Sequence, residues 1–159
     1  MILTITGRKN VFKTIAWTGL IAGTLDAAGA IILFLARGGQ NPLKIFQYIA
    51  SAVFGKEAYS PCLGFAWWGI LFHFIIAYAF TCLFFFLYPR LKILEKNIGV
   101  TGIVYGIFIW LVMNLIVVPL TNARKFPFNL DQALLGAAIL ILAIGLPVAF
   151  IARKFYQKQ

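Results

Sequence analysis

The sequence predicts an all-α, polytopic membrane protein with four transmembrane helices, and two observations support that fold class. Four mostly apolar stretches lie at about 14–36, 65–87, 99–120 and 133–152. Each is long enough to cross a hydrocarbon core about 30 Å thick, which takes about 20 helical residues. The composition agrees, because 62% of the 159 residues are hydrophobic and only 11% are charged, whereas a soluble domain is about a quarter charged. The mean hydropathy of +0.93 points the same way.

The four stretches fill more than half of the chain, so we predict a single four-helix transmembrane domain over residues 1–159. The first stretch follows Arg8, Lys9 and Lys13, as the apolar region of a secretory signal does. It carries Asp26, however, and it is longer than the usual apolar region of a signal. We therefore expect an uncleaved first span.

The charge balance is strongly basic, with 14 Lys and Arg against 4 Asp and Glu and a net charge of +10. In a soluble protein this excess would suggest nucleic-acid binding. Here the charges lie in the tails and loops between apolar spans, and no nucleic-acid recognition motif accompanies them. The expected partner is the lipid bilayer, and no nucleic acid is expected.

The distribution of basic residues predicts the orientation, since short loops rich in Lys and Arg stay in the cytoplasm. The two tails and the connection after the second span hold nine of them: Arg8, Lys9, Lys13, Arg90, Lys92, Lys96, Arg153, Lys154 and Lys158. The other two connections hold five: Arg37, Lys44, Lys56, Arg124 and Lys125. Both termini are therefore predicted to be cytoplasmic.

The first outer loop predicts an additional helix over about 42–54. Asn41 can cap it, Pro42 suits its first position, and Gly55 can end it. Its apolar residues at helical spacing are Leu43, Phe46, Ile49, Ala50, Val53 and Phe54, against a polar face of Lys44, Gln47 and Ser51. A helix this short cannot span, so we expect an interfacial amphipathic helix with its apolar face toward the membrane. A lid over the bundle is the less favoured alternative.

Residues typical of helix ends mark the other boundaries. The segment 88–90 closes the second span, and Asn129 with Gln132 has the spacing of a capping box that opens the fourth. Gly145 and Pro147 are expected to loosen the last helix. Aromatic residues typical of membrane interfaces are expected at both edges: Tyr59, Trp67 and Trp68 on the outer side, and Tyr88 and Tyr156 on the inner side.

Three polar residues within the spans form the candidate site: Asp26, His73 and Asn114. A charged side chain near mid-membrane costs several kcal/mol unless it is neutralised, paired or hydrated. Asp26 shares its helix face with small residues, and so does His73, which favours a facing helix over lipid as the neighbour of each. Counted at 1.5 Å per residue, the three residues are predicted to share one layer.

This polar layer has two interpretations. An Asp–His pair in hydrocarbon can hold a shared proton near physiological pH, as a proton relay or a transporter coupling site would. The favoured interpretation is a structural hydrogen-bond network that fixes helix packing, with contributions averaging about 0.6 kcal/mol per bond. Small residues that permit close helix approach support the packing role: Gly19, Gly23, Gly69, Gly102 and Gly106.

Signatures of enzymes and metal sites are missing from the sequence. It has no GxSxG, HExxH or phosphate-binding loop followed by Lys. Cys62 and Cys82 lie too far apart along the second span to pair, and no metal-ligand spacing is present. The protein is therefore expected not to be an enzyme and to carry no cofactor or metal.

Several short motifs resemble those of a known group of proteins. They are the segment 19–26 (GLIAGTLD), Asn41-Pro42, the turn 88–92 (YPRLK), Met113-Asn114, the segment 118–120 (VPL) and the segment 145–147 (GLP). Together they resemble small four-span bacterial inner-membrane proteins without assigned activity and, more distantly, the YagU-like group. The resemblance implies a multi-pass protein of the bacterial inner membrane, and it supplies no catalytic residues.

The leading functional hypothesis is a non-enzymatic accessory protein of the envelope or of a larger membrane complex. The alternative is a small transporter or proton-linked channel component that uses Asp26 and His73. A homo-oligomer is compatible with both hypotheses, because four spans alone make a narrow bundle.

Overall fold

The chain is mostly helical in the part described by our computed structural model, which comprises residues 5–60, 63–125, 127 and 129–157, with side chains from residue 10 onward. Cys62, Lys158 and the side chains of Arg8 and Lys9 lie outside the described residues. The elements are α1 (Ile5–Ala36), α2 (Leu43–Phe54), a 3₁₀ turn (Gly55–Tyr59), α3 (Gly64–Leu87), α4 (Ile93–Lys96), α5 (Ile98–Val112), a π turn (Met113–Val117), α6 (Val118–Leu120), α7 (Leu130–Leu140), a second π turn (Ile141–Gly145) and α8 (Leu146–Tyr156).

Four helical stretches within the described residues are long and apolar enough to cross a membrane: Asn10–Ala36, Gly64–Leu87, Ile98–Leu120 and Leu130–Tyr156. Their mean hydropathies run from 2.0 to 2.7. Large apolar side chains face outward on all four, as with Ile32, Ile75, Leu115 and Leu142, each more than half exposed. Lipid contact is the environment that such a surface requires, so the prediction of an all-α polytopic membrane protein is confirmed.

The first two spans are antiparallel neighbours. Gly23 of α1 faces Phe74 and Ala77 of α3, while Ala16, two turns earlier in α1, meets Tyr78. The third and fourth spans form a second antiparallel pair, since Gly106 faces Ile141. The fourth span also packs against α1, where Gly29 meets Ile139. The four spans thus form one connected bundle.

An aromatic core fills one end of this bundle, near the start of α1 and the end of α8. Phe84 and Phe85 of α3 are 1% and 2% exposed and lie in one cluster with Tyr105 of α5 and small residues of α8. Tyr88 is only 2% exposed and stacks on Tyr156, with ring centroids 5.4 Å apart and planes at 16°. The ring of Tyr88 therefore closes the end of the core, and its predicted depth at the membrane interface stays a prediction.

Both π turns precede a proline by the same distance. Met113 begins one turn six residues before Pro119, and Ile141 begins the other six residues before Pro147. Proline cannot donate a main-chain hydrogen bond and its ring collides with the carbonyl four residues earlier. A π turn is one way for a helix to accommodate this disruption. The sequence predicts the loosening at Pro147 and misses the one at Pro119.

The helix α2 forms where it is predicted, but a different face of it is buried. Ser51, placed on the polar face by the sequence pattern, is fully buried, while Val53 is 57% exposed. The burial of Ser51 is tolerated because its hydroxyl donates to the carbonyl of Tyr48 at 2.6 Å. This face packs against α3, where Gly69 lies against the main chain of Phe46. The position of α2 in a membrane interface stays a prediction.

Side-chain caps begin several helices. The Oδ1 of Asn129 accepts from the main-chain N–H of Gln132 at 3.1 Å, as the capping-box spacing predicts. The Oδ1 of Asn41 accepts from the N–H of Leu43 at 3.0 Å. Gly55 ends α2 with a φ of 59°, a left-handed conformation that suits glycine. Asn97 caps α5, a helix start that is not among the predicted boundaries.

Candidate functional site

Asp26 and His73 meet where α1 and α3 pack most closely. The close approach depends on Gly23, because a methyl group there would lie 2.9 Å from the ring of Phe74 and 3.2 Å from the Cβ of Ala77. Gly19 allows a similar approach one turn earlier, where an added methyl group would overlap the ring of Tyr78. The two small residues of α1 therefore let the side chains of α3 reach the main chain of α1.

The His73 ring uses its two nitrogens differently. Its Nε2 donates to the main-chain carbonyl oxygen of Gly23 at 2.8 Å, so the other nitrogen is left to face Asp26. The Nδ1 of His73 lies 4.0 Å from the Oδ2 of Asp26. That distance allows an ion pair when the ring is protonated, and it is longer than a hydrogen bond. The imidazole is thus held by one nitrogen, while its other nitrogen faces the Asp26 carboxylate.

Aromatic rings surround the histidine. Phe46 of α2 packs edge-on against the His73 ring, with centroids 6.3 Å apart and planes at 80°. Phe74 packs in the same way at 5.4 Å. The side chains of His73 and Asp26 are 11% and 19% exposed. The charges of an ionised pair would therefore be poorly solvated, and their separation would be costly.

Asn114 does not join this pair. Its side chain is exposed, and its amide donates to the carbonyl of Trp110 on the same helix at 2.9 Å. Within the described part of the chain it bonds neither to Asp26 nor to His73. A carbonyl one turn earlier is always within reach of a helical Asn, so the amide can be satisfied without a partner helix. The predicted three-residue network is reduced to Asp26 and His73.

Three tyrosines make interhelical bonds that were not predicted from the sequence. The hydroxyl of Tyr78 donates to the carbonyl of Ala16 at 3.0 Å, joining α3 to α1. Tyr105 of α5 donates to Phe80 at 2.6 Å, and Tyr156 of α8 donates to Phe85 at 2.9 Å. Together with His73, they form a set of four ring donors, which we call the ring clamps: His73, Tyr78, Tyr105 and Tyr156.

Each ring clamp makes one hydrogen bond, and either the donor or the acceptor of that bond lies on α3. Two of them tie α3 to α1, one ties it to α5, and one ties it to α8. Each uses a carbonyl oxygen, which has a second lone pair beyond the one used in its own helix. The only sequence signal for the clamps is the presence of a polar-tipped ring within an apolar span or just beyond its end. That signal does not say whether the tip reaches lipid headgroups or a neighbouring helix.

The remaining glycines predicted to aid packing lie at close contacts too. A methyl group on Gly102 would lie 2.9 Å from the Cα of Leu146, and one on Gly106 would lie 2.5 Å from the Cα of Ile141. Gly145 lies against the carbonyl of Gly102, so glycines face each other across this seam. The seam between α5 and the fourth span is therefore a contact of main chain against main chain.

The described residues offer little for other chemistry. Among them, no third His, Cys, Asp or Glu joins the pair to make a group of three. Cys82 is a free, exposed thiol on α3. What the site can do chemically is exchange a proton at the Nδ1 of His73 or at the Asp26 carboxylate, and hold α1 against α3.

Comparison of the chain with protein-family models, with curated proteins and with solved structures finds no match. The resemblance to the YagU-like group therefore stays a prediction from short motifs.

Proposed function

We propose that this protein is a non-enzymatic accessory protein of the bacterial inner membrane, with both termini in the cytoplasm. In this role its four spans act as one assembled unit that supports the envelope or a larger membrane complex. The observation that carries the proposal is the set of hydrogen bonds made by the ring clamps. All four donate to a main-chain carbonyl and so join α3 to another span.

Three of the threonines inside the spans fit the same proposal. Thr14, Thr18 and Thr81 each donate to the carbonyl four residues earlier in their own helix, at 2.7 to 2.8 Å. A hydroxyl bound in this way has no hydrogen left to donate to a passing solute. Polar groups of a transport route have to remain available to the transported ion, so these bonds favour a structural role for the polar residues.

One observation favours a second function, that of a proton-linked transporter or channel component. The Nδ1 of His73 and the Oδ2 of Asp26 are 4.0 Å apart, close enough to interact but without a hydrogen bond between them. A proton could therefore bind either group without first breaking a bond between the two. In this alternative, the pathway would form between copies of the chain, since the pair lies between α1 and α3 of a narrow bundle.

Reconstitution into proteoliposomes separates the two functions. Purified wild type, Asp26→Asn and His73→Gln are sealed into vesicles with a pH-sensitive dye, and an inward proton gradient is imposed with valinomycin and potassium to prevent charge build-up. The accessory function predicts no flux above that of protein-free vesicles for any of the three proteins. It also predicts lower thermal stability for both variants.

The transporter function predicts the opposite pattern. Wild type would carry protons, while folded Asp26→Asn and His73→Gln would not. Asn114→Leu is the matched control, because Asn114 is also polar and within a span but touches neither residue. Flux by wild type that the control retains and the two variants lose would overturn the accessory proposal. Recovery of the protein from native membranes without a partner in fixed ratio would also count against it.

A further inference from the structure

A groove runs along the outside of the bundle where α5 begins and α8 ends. Its inner section has a volume of about 350 Å³ and is lined by apolar residues: Ile98, Leu142, Leu146, Pro147 and Phe150. Its outer section, of about 320 Å³, shares two of these residues and adds polar ones: Ile98, Phe150, Arg153, Lys154 and Gln157. The two sections adjoin at Ile98 and Phe150, and we call them together the α5–α8 groove.

The lining of the groove changes from apolar to basic along the fourth span, and this change follows from the helical register. Leu142, Leu146, Phe150 and Lys154 occur at four-residue steps, so they lie along one side of the fourth span. Twelve residues at 1.5 Å cover about 18 Å. This is close to half of a hydrocarbon core about 30 Å thick, which is the depth of a single leaflet.

The basic section is not neutralised by the protein. Within the described residues, no ion pair joins Arg153 or Lys154 to a carboxylate. Glu95 of α4 is the acidic residue at this end. It raises the pKa of the Tyr88 hydroxyl, which Arg153 lowers. The basic residues at the same end outnumber it: Lys13, Arg90, Lys92, Lys96, Arg153 and Lys154. The free N–H groups at the start of α5 are not part of the site, because Asn97 already binds two of them.

We infer that the α5–α8 groove binds one anionic phospholipid, with an acyl chain along Leu142, Leu146 and Phe150 and the phosphate at Arg153 and Lys154. Charge complementarity selects an anionic headgroup, since Lys and Arg at a membrane surface attract such lipids by about 1 kcal/mol each. The apolar section selects a lipid over a free phosphate, which would occupy only the basic section. The inference goes beyond the accessory function and does not depend on it.

Native mass spectrometry of the purified, detergent-solubilised chain tests the inference by titration with dioleoylphosphatidylglycerol or dioleoylphosphatidylcholine. Wild type is expected to bind one phosphatidylglycerol more tightly than phosphatidylcholine. Replacing both cations, Arg153→Gln with Lys154→Gln, is expected to weaken the binding of phosphatidylglycerol about 30-fold, as the loss of two such charges implies. The binding of phosphatidylcholine is expected to stay unchanged.

Three controls make the result decisive. Lys44→Gln with Lys56→Gln removes two exposed cations from the opposite end of the bundle and is expected to leave binding within twofold of wild type. Arg153→Lys with Lys154→Arg keeps both charges and is expected to retain binding, which separates charge loss from misfolding. Glycerol 3-phosphate, the headgroup without chains, is expected to bind at least 100-fold more weakly than the lipid.

The inference is overturned if the double Gln variant at 153 and 154 binds phosphatidylglycerol as wild type does. It is also overturned if the distal variant at 44 and 56 loses as much affinity. Glycerol 3-phosphate that binds as tightly as the lipid would show a phosphate site in place of a lipid site.

Discussion

His73 and Gly23 are joined by a hydrogen bond of 2.8 Å although 50 residues separate them in the sequence. This bond fixes the orientation of the imidazole, so that the second ring nitrogen points toward Asp26 at 4.0 Å. A change in protonation of His73 therefore alters its relation to Asp26 and leaves its bond to α1 in place. The same residue acts as a clamp between two spans and as one member of the Asp26–His73 pair.

A double-mutant cycle on Asp26 and His73 measures how strongly the pair is coupled. We expect Asp26→Asn and His73→Gln each to lower the free energy of unfolding, and the cycle to give a coupling energy of about 1 kcal/mol. Measured interhelical bonds in membranes average about 0.6 kcal/mol and reach about 1.7 kcal/mol. The measurement is reversible unfolding in mixed detergent micelles. Additive effects would show that the two residues do not interact.

The tyrosine clamps give a second prediction. Tyr105→Phe and Tyr156→Phe each remove a hydroxyl that bonds to a carbonyl of α3, and each is expected to cost about 0.6 kcal/mol at neutral pH. Tyr88→Phe is the control, because Tyr88 is buried in the same aromatic cluster and contributes by ring stacking. Unfolding in detergent micelles measures all three. A loss in the control as large as in the clamps would contradict the assignment.

Much of this fold could be predicted from the sequence because the bilayer constrains it so strongly. A span needs about 20 apolar residues, so the four spans and most of their ends follow from composition and capping residues. The placing of Asp26 and His73 in one layer within the spans could be predicted as well, whereas their contact could not. A carboxylate within a span needs a partner, and the small residues around each side chain indicate which helix face is packed.

The features that could not be predicted depend on how helices cross. Ser51 is buried and Val53 exposed because the contact of α2 with α3 is rotated from the apolar face that periodicity favours. The Asn114 amide donates to the carbonyl of Trp110 on its own helix. Composition does not show whether such an amide bonds within its helix or to a neighbouring one. For Tyr105, the carbonyl of Phe80 becomes available only when α5 lies beside α3 at one particular register.

Gly69 gives a third prediction, on the attachment of α2. A methyl group on Gly69 would overlap the main-chain carbonyl of Phe46, and a backbone cannot turn aside as a side chain can. Gly69→Ala is expected to displace α2 from α3 and to lower the free energy of unfolding by about 1–3 kcal/mol, the usual cost of overpacking. Limited proteolysis between α1 and α3 reports the displacement directly.

Gly136→Ala is the matched control for this substitution. Gly136 also lies in a helix, and an added methyl group there would be 3.4 Å from the nearest atom, the Nε1 of Trp110. We expect this variant to be as stable as wild type or slightly more stable, since Ala favours helix over Gly. If Gly69→Ala behaves like Gly136→Ala, then α2 is not held against α3 as the structure describes.

Tyr88 gives a prediction on pH. Burial raises the pKa of its hydroxyl above the usual 10.0, Glu95 raises it further, and Arg153 opposes them. The folded state therefore favours the neutral phenol. The stabilisation from Tyr88 is complete below the pKa of the unfolded chain, near 10, and is lost as the pH rises through that value toward the folded pKa, with a slope of up to about 1.4 kcal/mol per pH unit.

The Tyr88 contribution is isolated by comparison with Tyr88→Phe, which cannot ionise at this position. Thermal unfolding in detergent from pH 8 to pH 11 should show the two proteins nearly equal at pH 8 and the variant more stable at pH 11. Tyr59→Phe, which replaces a tyrosine that is 43% exposed and keeps Tyr88, controls for the substitution itself. Parallel curves for wild type and Tyr88→Phe would mean that ionisation of Tyr88 does not oppose folding.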